Sequence, residues 1–152
     1  MNLKTRLQIR SNEELTEFLG TGEKVEYLFF YGHYVPAGGR IAESCFSQWY
    51  PVSFEVDGIV YSNAEQFMMA EKARLFEDRE SLEKILETSS PREAKKLGRQ
   101  VVGFDEKKWN ERSFEIVTKG NYHKFNQNQS LKKFLLKTGE KIIVEASPKD
   151  RE

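Results

Sequence analysis

The chain has 152 residues, the length of one domain, and its 24 lysines and arginines are matched by 24 aspartates and glutamates, so no net charge draws it to polyanions. With 38% hydrophobic and 12% aromatic residues it has the means to bury a core, which excludes a disordered solvating tail. No run approaches the roughly 18 apolar residues that cross a bilayer, no secretory block follows Met1-Asn2-Leu3-Lys4-Thr5-Arg6, and a lone Cys45 with only His33 and His123 argues against disulfides or a zinc cage. A cytoplasmic protein with no membrane anchor, metal or cofactor is the expectation.

The elements follow in chain order. Ser11 or Asn12 caps a short helix through Leu19 that Gly20 ends, and Tyr27-Leu28-Phe29-Phe30-Tyr31 reads as a buried strand. Pro36-Ala37-Gly38-Gly39-Arg40 is a loop. Val52, Phe54 and Val56 alternate with Ser53 and Glu55 before Asp57-Gly58, which predicts a tight hairpin into Ile59-Val60-Tyr61. Ser62 with Glu65 has capping-box spacing ahead of a helix over about 63–76, Asp78 or Ser81 opens the next, and Ser90-Pro91-Arg92-Glu93 opens a third with proline at its first position. From Asp105 a long helix runs to about Phe125, with Trp109, Ser113, Ile116 and Tyr122 near helical spacing and Gly120 a point of bending or interruption. A last helix after Ser130 stops near Gly139, and Lys141-Ile142-Ile143-Val144-Glu145 reads as a strand able to pair in a small sheet. The fold class is therefore α+β: one helix-rich domain over residues 1–152 with a few short strands.

Charge is uneven along this scaffold. Residues 1–65 hold 5 basic and 9 acidic side chains, whereas 107–137 hold 8 basic and 2 acidic ones. That stretch reads either as the wet faces of two helices or as one end of the molecule that accepts phosphate.

Several side chains have the chemistry of a site. Glu65 and Lys72 stand seven positions apart on one helix, nearly on one face and roughly 10 Å apart along the axis. Met68 and Met69 between them weaken the screening of a charge on either group. Glu65 also reads as the reciprocal partner of Ser62 in a capping box, and Lys72 as a solvated helix lysine. Trp109 is either core or a platform for a flat heterocycle. Arg99 and Lys124 are either surface cations or phosphate grips, one a planar fork and the other a point charge. Cys45 lacks the surroundings of a reactive thiolate. The chain has no Gly-Lys-Ser/Thr phosphate loop, no Gly-x-Ser-x-Gly elbow and no His-Glu-x-x-His pair, which removes the common nucleotide triphosphatase, serine hydrolase and zinc peptidase readings.

Phe46-Ser47-Gln48-Trp49-Tyr50-Pro51, Tyr61-Ser62-Asn63-Ala64-Glu65-Gln66 and Ala70-Glu71-Lys72-Ala73 together resemble the YbiA-like family, also called NADAR. Ser89-Ser90-Pro91-Arg92-Glu93 through Arg99, then Trp109, Lys124-Phe125-Asn126-Gln127-Asn128, and Leu135 through Ala146 continue the family's landmarks in order, so the likeness runs from about residue 29 to 150. The resemblance implies a helix-rich fold and cleavage of the carbon–nitrogen bond between ribose and a base-like group. One associated activity is an N-glycosidase acting on ribosylamino-pyrimidine phosphates of riboflavin synthesis; the other removes ADP-ribose from guanine in nucleic acid. A non-catalytic nucleotide-binding module is the third reading. By resemblance Glu65, Lys72 and Asp150 are the catalytic positions, with Lys72 the attacking amine. Trp109 stands at the family's tryptophan, where it would stack on the leaving heterocycle. Arg99 and Lys124 would hold a phosphate, and Ser47, Gln48 and Trp49 would line the substrate, with Gln48 one methylene longer than the usual asparagine. The partner implied is a small ribosyl phosphate, with nucleic acid a partner only under the second activity. Family members continue past the acidic residue into a Trp-Gly segment, so that C-terminal segment is expected to be absent from this chain, which stops at Asp150-Arg151-Glu152.

Overall fold

The computed structural model describes residues 9–147, so Asp150 lies outside the described residues. Within them are six α-helices and four short strands. Helix α1 spans Asn12–Gly20 and strand β1 Tyr27–Phe30, followed by 3-10 turns at Ala37–Gly39 and Glu43–Phe46. Strands β2 (Phe54–Val56) and β3 (Ile59–Tyr61) form the expected hairpin, turning through Asp57 and Gly58 at φ 52° and 78°, the left-handed geometry for which Asp-Gly is suited. Helices α2 (Ala64–Leu75), α3 (Arg79–Glu87), α4 (Pro91–Arg99), α5 (Glu106–Gln127) and α6 (Gln129–Lys137) follow, and β4 (Ile142–Glu145) closes the described chain.

Helix α2 is the centre of the domain and packs against α3, α4 and α5. Seven of its 12 residues are buried on more than one side, as expected of a helix surrounded by others rather than lying on a surface. Phe67, Met69, Ala70 and Ala73 join Phe54, Tyr61, Ile85, Ala94 and Ile116 in the larger core. Two glycines set the spacing. A Cβ on Gly98 of α4 would fall 2.0 Å from Met69 Sδ, and one on Gly120 of α5 would fall 2.6 Å from Phe67 Cδ1. Gly120 therefore does not interrupt α5, which runs through it unbroken; it lets two helices approach.

A second core of Cys45, Phe46, Tyr50, Phe125 and Leu131 lies between the 3-10 turn at Glu43–Phe46 and helices α5 and α6. Strand β4 pairs with β1 in parallel, Tyr27 with Ile142 and Phe30 with Glu145, which supplies the partner expected for the last strand. The expected burial of β1 is not found. Tyr27 and Phe29 are exposed and only the alternate residues Leu28 and Phe30 face the second core, because one pair of strands has one covered face. Tyr122, at near-helical spacing with Trp109 and Ile116, is exposed. No helix among the described residues is long and apolar enough to cross a membrane.

Candidate active site

The start of α2 differs from expectation by one residue, with a large consequence. Asn63, not Ser62, is the cap: its side chain accepts from Gln66 N at 2.8 Å, while Gln66 Oε1 accepts from Ser62 N at 2.8 Å. Gln66 Nε2 also donates to Ile85 O and Thr88 O, satisfying carbonyls at the end of α3. The capping work thus belongs to Asn63 and Gln66, and the Glu65 carboxylate is free of it.

Glu65 is buried, 4% exposed. Its backbone N–H donates to Gln48 O at 3.0 Å, so the loop before the hairpin caps the helix start and comes to rest against this residue. Burial pushes the carboxyl above the usual range; the Lys95 ammonium, a hydrogen bond from the Trp49 indole and the Arg99 guanidinium oppose that rise, and Glu145 adds to it. Lys95 and Arg99 stand one turn apart on α4, both exposed, and they follow the buried seam residues Ala94 and Gly98 by one position each. Trp49 is flanked by His33, with ring centroids 5.5 Å apart, and by Lys95 Nζ at 5.8 Å.

Lys72 has different surroundings. It is half-buried, with Nζ 4.4 Å from the Phe104 ring centroid and 5.6 Å from that of Trp109. Burial and then Arg99 hold its ammonium below the ordinary lysine value. Lys72 is not among the charges acting on Glu65, whereas Arg99 acts on both.

The remaining predicted residues divide. Ser47 is buried, its Oγ accepting from Trp49 N at 3.2 Å, and Gln48 and Trp49 are half-buried beside Glu65. Trp109 is half-buried and packs on the larger core while one face meets Lys72. Lys124 is not where a phosphate grip belongs: it is fully buried, and Nζ donates to Ser47 O at 2.8 Å. The physical reason is register, since Ile116, Gly120 and Lys124 form the buried stripe of α5 at four-residue steps. Lys95, Phe104, His33 and Glu145 were not picked out from the sequence as site residues. The four-residue spacing of Lys95 and Arg99, beside the small residues Ala94 and Gly98, was the available signal for the first of them.

The fold and site define a helix-rich α+β domain whose central helix carries a buried carboxylate acted on by two cations and, farther along, a half-buried amine beside two rings. The NADAR domain model matches residues 29–152. An N-glycosidase of Acanthamoeba polyphaga mimivirus is 47% identical over 135 residues, covering 85% of this chain and 77% of that protein. A riboflavin biosynthesis protein of Vibrio vulnificus is 30% identical over 104 residues, 68% of this chain and 28% of that protein. The NMR structure of Escherichia coli YbiA superposes with a TM-score of 0.66 at 24% identity, over 86% of this chain and 73% of that one, and shares the fold. This chain belongs to the NADAR domain family.

Proposed function

We propose that this protein is an N-glycosidase that hydrolyses the carbon–nitrogen bond between a ribose phosphate and a base-like heterocycle, with ribosylamino-pyrimidine phosphates of riboflavin synthesis as the substrate class. The observation that carries the proposal is Glu65: a carboxylate removed from water, released from capping, and faced by Lys95 and Arg99. Family membership and the names of the viral and Vibrio relatives support the reaction class and the substrate class respectively.

Breaking the bond develops positive charge at the anomeric carbon. An ionised Glu65 stabilises that charge or takes a proton from attacking water, and its low-dielectric setting strengthens the effect. In the other route neutral Lys72 attacks the anomeric carbon. The electron pair of the broken bond goes to the base nitrogen, which takes a proton; the sugar ring opens to an imine on Nζ, and water then releases the sugar and restores the amine. Arg99, which acts on both Glu65 and Lys72, and Lys95 one turn before it hold the phosphate. Trp109 and Phe104 offer ring faces to the base.

The test is release of ribose 5-phosphate from a ribosylamino-pyrimidine phosphate by the purified protein. Glu65→Gln, which keeps shape and removes charge, should lower kcat by about 10² to 10⁴, the usual worth of a positioned acid–base group. Equal inertness of both proteins on that substrate overturns the proposal. Turnover of an ADP-ribosylated guanine oligonucleotide in its place reassigns the site to that activity.

A further inference from the structure

Lys124 is an expensive residue without an evident stabilising job. Its side chain is wholly buried beside Cys45, with Nζ 5.2 Å from the Phe125 ring centroid and 5.8 Å from that of Tyr50. Taking an ammonium out of water costs several kcal/mol before any partner is counted. Burial pulls this one down to about 8, with the Cys45 sulfur opposing slightly. The carbonyl it serves does not require it, because Ser47 O already accepts from Tyr50 N at 3.1 Å. A methionine would fill the same volume without the charge.

What the bond does is join two parts of the fold that meet at the site. Lys124 lies on α5, whose approach to α2 is set by Gly120 against Phe67. Ser47 begins the segment that runs through Gln48, whose carbonyl caps Glu65 N, to Trp49, whose indole donates to the Glu65 carboxylate. We propose that Lys124 is a positioning residue for Glu65: its ammonium ties the Ser47–Tyr50 segment to α5, and the tie keeps the Trp49 indole on the carboxylate. The kinetic consequence rests on the reading of Glu65 as the catalytic carboxylate; the structural consequence does not.

The charged groups facing Glu65 are Lys95 and Arg99 from α4 and Glu145 from β4, all unchanged by substitution at Lys124, so the Trp49 hydrogen bond is the contribution that moves. The full chain, with carboxyl-labelled glutamate, is titrated by carbon NMR as wild type, Lys124→Met and Trp49→Phe. Losing the indole donor removes a bond that favours the ionised form, so the Glu65 pKa should rise in Lys124→Met and in Trp49→Phe alike. On the proposed substrate, the acid limb of the kcat profile should move up with that pKa in Lys124→Met, so that kcat falls on the acid side of the profile. The double variant should be no worse than the poorer single one. Lys124→Gln, too short to reach Ser47 O, replaces Lys124→Met if the latter does not fold. A folded Lys124 variant whose Glu65 pKa equals the wild-type value overturns the inference. A raised pKa with an unmoved acid limb of the kcat profile upholds the tie and overturns the catalytic reading of Glu65 instead.

Discussion

Lys72 shows how much one side chain's surroundings decide. An exposed lysine is almost wholly protonated at neutral pH and is a poor nucleophile. Here burial, with Arg99 second, lowers the pKa, while Phe104 and Trp109 supply faces that favour the cation. On the proposed covalent route the reacting form is the neutral amine, so its population rises with pH towards a value below that of ordinary lysine. Borohydride reduction during turnover should therefore trap a sugar adduct on Lys72 in amounts that grow as pH rises from neutrality and level off below the ordinary lysine value, and none in Lys72→Met, as read by mass spectrometry. Unchanged trapping in Lys72→Met would place the adduct elsewhere; no trapping with full turnover would leave water as the nucleophile. Glu65 moves the opposite way for the same first reason, since burial disfavours its charged form.

At the scale of elements, the helices are local and their contacts are not. Ser11, Asp78, Ser90 and Asp105 each accept a hydrogen bond from a first-turn N–H at the start of the predicted helix, because capping needs only residues three or so apart. The shift from Ser62 to Asn63 at α2 is different in kind. Both residues are competent caps, and the choice falls to Asn63 because Gln66 reaches Ser62 N and the end of α3 together, while Asn63 Nδ2 reaches Ser89 O. Gly120 gives this scale its prediction. Alanine there gains helix propensity worth about 1 kcal/mol, but its Cβ collides with the ring of Phe67, which is 1% exposed and has no room to move. Overpacking of that kind costs about 1–3 kcal/mol, so Gly120→Ala should be less stable in urea unfolding, and adding Phe67→Leu should recover part of the loss. A Gly120→Ala protein as stable as wild type would mean that α5 is free to shift away from α2.

For the molecule as a whole, neutral overall charge conceals a local arrangement. The surplus of lysines over 107–137 is not what faces Glu65: Lys119 pairs with Asp57 at 3.1 Å, Lys108 donates to Leu75 O, and Lys124 is buried. Lys95 and Arg99 from α4 supply the positive field instead. Lys95→Ala should raise KM for a ribosyl phosphate about tenfold, in the range of a charge-assisted contact of 1.5–3 kcal/mol discounted for exposure. KM for the matching nucleoside without phosphate should change little, and the difference should shrink with added salt. Equal effects on both substrates would show that Lys95 acts on the carboxylate rather than on phosphate.

The residue order by itself determined the helices, the Asp57-Gly58 hairpin, the helix-rich α+β class and the family landmarks, because caps, turns and periodicity are contacts between near neighbours in the chain. Even the burial of Lys124 was legible in its four-residue steps from Ile116 and Gly120, although lysine's usual place at the surface argued against it. Only tertiary structure decided that Glu65 is free of capping, that Lys95 acts on it, and that β1 has one open face. Each of those depends on which surface of a distant element packs alongside, and burial and charge proximity are properties of that packing.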